Sequence, residues 1–168
     1  MNNKYKESQK TDVVDSIFFG IYFKMTAKSF YEHCNNMHKK GIFRGSYDYQ
    51  VVVSLNDGFK KPVQLRFYPS FDKPFISSVP CRFTYANANI YKKSDRADLL
   101  IKEVIPALMT WHGGNQFIEI PAEHPWKASH YVKVDANRKI TVFESDNSMD
   151  VEVIYEDLRP LHEISSTK

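Results

Sequence analysis

Two stretches of this chain repeat apolar residues at helical spacing. Each is closed by glycine, and each is followed by segments that alternate apolar and polar residues. In the first, Ala27, Phe30, Cys34 and Met37 recur at steps of three and four behind Thr26, a suitable N-cap. Lys39 and Lys40 then suit the negative helix end, and Gly41 supplies the left-handed stop. In the second, the stripe is Ala97, Leu100, Ile101, Val104, Ile105, Leu108 and Trp111. Ser94 is its expected cap, Asp95 and Asp98 suit the positive end, and Gly113-Gly114 closes it. Pro106 removes the hydrogen bond to the Lys102 carbonyl and predicts a kink.

The remaining segments read as strands. Ile17–Phe23 is aromatic and β-branched, the composition of a first strand. Tyr49, Val51, Val53 and Leu55 alternate up to the turn Asn56-Asp57-Gly58, and Val63, Leu65 and Phe67 alternate on the return. Pro69 to Pro74 is expected as a loop. Val79, Cys81, Phe83 and Tyr85 share a strand face, and Pro80 assigns that strand to an edge or a bulge. After the second helix, strands are expected near 116–120, 129–135, 139–144 and 149–155. The apolar sets predict one core: Phe30, Cys34 and Met37, with Leu100, Val104 and Leu108, over Val51, Val53, Phe83, Val132, Val142 and Val153.

The expected fold is therefore α+β and two-layered, an antiparallel sheet of about seven or eight strands with two helices on one face. The repeated order suggests a duplicated helix-plus-strands unit, with halves at 15–90 and 91–164 of a single domain spanning 15–164. No residue-level identity between the halves accompanies it. Residues 1–14 read as a flexible tail, as do 165–168.

Composition narrows the function classes. The 23 basic and 20 acidic residues leave a net charge of +3, which argues weakly against an obligate nucleic-acid binder, since these usually concentrate positive charge far more. Lys39-Lys40, Lys60-Lys61, Lys92-Lys93 and Arg138-Lys139, near Tyr47, Tyr68 and Tyr91, fall at helix ends and turns, where lysine is the solvated choice. No apolar run is long enough to span a membrane. The polar start, Met1 to Lys10, has no signal-like apolar region, although a chain whose signal had been removed would look the same. Cys34 and Cys81 would bridge in an exported protein and stay as small buried hydrophobes in a cytosolic one.

The segment Gly20-Ile21-Tyr22-Phe23-Lys24-Met25-Thr26-Ala27-Lys28-Ser29-Phe30 resembles small proteins of Bacteroidetes bacteria: glycine, strand, Met-Ser/Thr, then an aromatic four residues on. Tyr131–Thr141 is similar to the same group. More distantly, the first segment resembles the β-lactamase-inhibitor-like and outer-membrane assembly lipoprotein folds. The resemblance implies a bacterial protein with helices packed on an antiparallel sheet, exported, and binding other proteins. The chain departs from that pattern in lacking a signal and a lipid-anchoring cysteine near its start, which leaves its compartment open. No site residue carries over.

Candidate chemistry is sparse. His33 and His38 lie about 140° apart around a helix, badly placed to chelate, and Cys34 with His38 makes only two ligands, so no metal is expected. Gly113-Gly114 ends a helix instead of opening one, so it is no phosphate loop. No catalytic set and no cofactor motif is found. The richest region is the proline-containing loop with Glu123, His124 and Trp126, followed by His130, with Trp111 and His112 nearby at the helix end. These six are the candidate binding residues. The expectation is a non-enzymatic binding or protein-interaction module, meeting another protein through a sheet edge or face. The alternative is a hydrolase or transferase using the His112/His124/His130 region.

Overall fold

The computed structural model describes residues 13–46 and 48–159. Tyr47, most of the expected N-terminal tail and all of the C-terminal one lie outside the described residues. Val13 and Val14, assigned to the tail, are described, and Val14 is tied in: its N–H donates to Asn137 Oδ1 (2.7 Å). Helix α1 spans Ala27–Lys39 and α2 spans Ala97–His112. The strands are β1 (Arg44–Gly45), β2 (Val51–Leu55), β3 (Val63–Phe67), β4 (Ser70–Asp72), β5 (Phe75–Tyr85), β6 (Ile118–Ile120), β7 (His130–Asp135), β8 (Arg138–Glu144) and β9 (Val151–Asp157).

All nine strands form one antiparallel sheet in the order β1-β2-β3-β5-β9-β8-β7-β6, with β4 hydrogen-bonded to β5. The order is mirrored about its middle. Each helix is followed by a meander, and the last strands of the two meanders, β5 and β9, pair from Ser78–Glu156 to Phe83–Val151. The architecture is α+β and two-layered, as the sequence predicts, with nine strands among the described residues, eight of them in the linear order.

Residues directly opposite across a sheet share a face, so the registers define which residues point to the helices. The rows Val53-Leu65-Phe83-Val151 and Phe67-Cys81-Val153-Val142 are buried and join Leu100, Val104 and Leu108 of α2 and Phe30 of α1 in one cluster. Cys34, Met37 and Val51 pack at its margin. Both helices thus lie on one face. Thr26 caps α1 as expected, its Oγ1 accepting from Ser29 N (3.1 Å), and Gly41 takes the positive φ of 73° that ends the helix.

Several expectations need correction. Ile17–Phe23 is a closed loop, and its apolar residues pack over the core without joining the sheet. Ser94 does not cap α2. It lies in a 3-10 turn, Lys93–Asp95, and Arg96 is the N-cap without a side-chain hydrogen bond, while Ser148 O accepts from Ala97 N (2.9 Å). Asp95 is unfree to serve the helix because its carboxylate accepts from Lys61 Nζ and from Asn89 N (3.0 Å). Ser70–Asp72, expected as loop, folds back on β5 as a strand. Pro80 sits in a central strand, not at an edge, but β5 does carry the bulge that is the other expectation: its pairing with β4 shifts register from Ser70–Ser78 to Phe71–Ile76. Pro80 falls where β5 leaves β3, whose last pair is Phe67–Cys81, and meets β4 at Ser70–Ser78, so its missing N–H coincides with a break between partners. Val132 lies on the face away from the helices. Its neighbours Tyr131 and Lys133 point inward, opposite Val142 and Ile140. Cys34 and Cys81 are free thiols, so the bridge expected of an exported chain is not formed.

Candidate functional site

Gly20 interrupts the apolar run Ile17–Phe23, and the chain turns there. Phe19 and Gly20 adopt positive φ (48° and 79°), and Ile17 N donates to Ile21 O (2.9 Å) while Ile21 N donates to Phe18 O (2.9 Å). Phe18 settles on the rings of Phe67 and Tyr155, 4.9 and 5.4 Å between centroids. His33 of α1 clamps the turn, its Nε2–H donating to Phe19 O (2.7 Å). A Cβ at Gly20 would lie 2.8 Å from His33 Cε1, so the tight turn and the close approach both require glycine.

This loop lines a cleft of about 940 Å³. Trp111 and His112 at the end of α2, Val53, Ser54 and Leu55 of β2, Gly41, Ile42, Asn56, and the exposed Arg44 and Asp57 complete the lining. Trp111 stays about one-third exposed and packs edge-on to Phe19, 6.1 Å between centroids. His112 Nε2 is hydrogen-bonded to the hydroxyl of the fully buried Tyr155 (2.8 Å). Burial, and then the positive charges of Arg138 and Lys133, push the His112 pKa down to about 4, so the ring is neutral at pH 7.

Beside His112 the helix-facing side of the sheet turns ionic. Lys133 is buried, and its Nζ donates to Gly113 O and Asn115 O (both 2.5 Å) just past the end of α2 and pairs with Asp135 (2.6 Å). The ammonium thereby satisfies the carbonyl of the C-cap residue and one in the loop that follows it, and it complements the helix dipole. Arg138, 3% exposed, donates to Asp135 (3.3 Å) and to Ser16 O (2.8 Å), which fastens the start of the loop. Burial pushes the Asp135 carboxyl up, but hydrogen bonds from Lys133, Asn115 N and Arg138 outweigh it and hold the pKa below the ordinary value.

The other face of the sheet is lined by neither helix. Because Val132 and Ile118 are opposite, and Ile120 is opposite His130, the exposed isoleucines of β6 lie on this face with Val132 and Val134 of β7. His130 stacks on Phe143 at 4.6 Å, beside a second hollow of about 460 Å³ that also includes Glu123, Lys127 and Asp146. His124 stacks on Trp126, 4.7 Å between centroids and 7° from parallel, and Trp126 is 77% exposed. Towards the opposite edge, Arg66 and Arg82 face outward, with Arg82 paired to Glu152 (2.9 Å).

The six candidate residues therefore divide. Trp111 and His112 line the cleft on the helix side; Glu123 and His130 line the second hollow; His124 and Trp126 form an exposed stack between β6 and β7. The three imidazoles do not converge on one pocket. Among the described residues no serine or cysteine is hydrogen-bonded to His112, and no three His, Cys, Asp or Glu side chains gather as metal ligands would. The Cys34 thiol is pushed up to about 11 by burial, the opposite of an activated nucleophile. Among the described residues no helix is long and apolar enough to cross a membrane.

Pattern reading missed the 16–22 loop, the ionic cluster and the β6 isoleucines. Only Gly20, a glycine inside an apolar run, signalled a break. No protein-family model, curated protein or solved structure matches the chain.

Proposed function

We propose that this chain is a non-enzymatic protein-interaction module that docks a partner on the open face of its sheet around β6 and β7. One observation carries the reading: the face without helices holds a cluster of large apolar side chains in water. Ile118 is 70% exposed, Ile120 53% and Val134 39%, and the adjoining loop adds Trp126. Contiguous apolar surface of this kind marks interaction sites, and exposed tryptophan favours binding. Among the described residues β6 is also the last strand of the sheet, with no strand paired to its outer edge, where a partner's strand would add. The separation of His112, His124 and His130 favours binding over chemistry.

The test is site-specific photocrosslinking in the native cell, with the crosslinker at Ile118, Val134 or Leu99. Leu99 is also exposed but belongs to α2, on the helix side. The expected result is one shared protein adduct from Ile118 and Val134, absent from Leu99 and abolished by Ile120→Lys. Adducts from Leu99 alone, or the same products from all three positions, would overturn the assignment.

A further inference from the structure

On the opposite side of the molecule, we propose that the cleft between the 16–22 loop and the end of α2 binds a small apolar carboxylate, its body against Ile42, Leu55 and Trp111 and its head group at Ser16 and His112. The cleft's volume, about 940 Å³, falls in the range of small-molecule sites, and its lining mixes apolar side chains with polar ones.

The polar end is rich in donors. Tyr155 is fully buried, and among the described residues its hydroxyl bonds only to His112 Nε2. Were the imidazole to donate to that hydroxyl, the phenol proton would be stranded in the core; hydrogen-bond economy therefore has Tyr155 donating to Nε2. The N–H of the neutral ring is then on Nδ1, which has no protein partner among the described residues. Ser16, also in the lining, holds Arg138 at its carbonyl and at Oγ (3.3 Å). At the His112 ring the positive charges of Arg138 and Lys133 outweigh the negative charge of Asp135. An unpaired N–H, a hydroxyl and a net positive field suit an anionic acceptor, and the aromatic and aliphatic walls suit an apolar body.

The experiment titrates the full chain with 1-naphthoate and with the uncharged 1-naphthalenemethanol, by calorimetry and by ring-nitrogen NMR of the histidines. Expected are one-to-one naphthoate binding, an alcohol weaker by about tenfold or more, and naphthoate-induced shifts at the His112 ring and not at His130. Ile42→Trp fills the cleft from an exposed position, 39% accessible, where it need not disturb folding. It should weaken naphthoate about tenfold or more, whereas Tyr91→Ala, at an exposed loop position outside both hollows, should leave the affinity unchanged. Equal binding of acid and alcohol, no saturable naphthoate binding, shifts at His130 instead of His112, or indifference to Ile42→Trp would each overturn the proposal.

Discussion

Replacing Lys133 with methionine tests whether the ionic cluster behind α2 stabilises the fold. The substitution keeps length and apolar stem but deletes an ammonium whose three contacts are Gly113 O, Asn115 O and Asp135. Asp135 would retain Asn115 N (2.8 Å) and Arg138 (3.3 Å), so it is weakened and not abandoned. The two carbonyls lose their buried donor at about 1 kcal/mol each. Removing one partner of a buried ion pair costs about 3–5 kcal/mol when nothing replaces it. With Arg138 remaining, the expected total is about 3 kcal/mol, near the lower end of that range. Urea denaturation with an m-value of about 2 kcal/mol/M would show the midpoint fall by roughly 1.5 M. Val134→Ser, one residue along and facing outward, should change stability by less than about 0.5 kcal/mol. Lys133→Met/Asp135→Asn should recover part of the loss, since no carboxylate is then left with a missing partner. A Lys133→Met protein as stable as wild type would refute the reasoning, because an outward-facing lysine is the arrangement that predicts no cost.

Leu108→Ala, at a fully buried position of α2, should cost about 2–5 kcal/mol in the same assay. His112 has a folded pKa of about 4 against an ordinary 6.5, so the unfolded chain binds the proton more readily. Its stabilising contribution is complete above pH 6.5 and is lost as pH falls towards 4, by about 2 kcal/mol after allowing for the partly exposed ring. His112→Phe should flatten that part of the stability–pH curve, while Asp135 and Asp157, both held below the ordinary carboxyl value, continue to destabilise the fold at lower pH. Burial raises both thiols, so iodoacetamide at pH 8 should label half-buried Cys34 slowly and Cys81 only after unfolding; rapid labelling of Cys81 in the native protein would contradict its burial.

What the sequence by itself determined is what depends on neighbouring residues. Thr26 and Gly41 delimit α1, glycine closes α2, and the alternation around Val53, Leu65, Phe83, Val142 and Val153 assigns strands and one buried face. Three features were decided only by tertiary structure. The 17–23 run has a strand's composition, but it folds over Phe67 and Tyr155 and turns at Gly20, closing the helix layer and shaping the cleft. Trp111 and His112 are near the His124–His130 region in sequence, yet a helix end and an outward-facing strand carry them to opposite sides of the sheet. In β7, alternation separates Val132 and Val134 from Tyr131, Lys133 and Asp135 but does not say which set faces the core. Hydrophobicity alone favours the valines. The structure turns Lys133 inward because its strand is registered against Ile140 and because the cap of α2 and the loop after it present carbonyls, of Gly113 and Asn115, that need a donor. Periodicity within an element fixes which residues travel together; the solvation needs of a distant helix end choose which side they take.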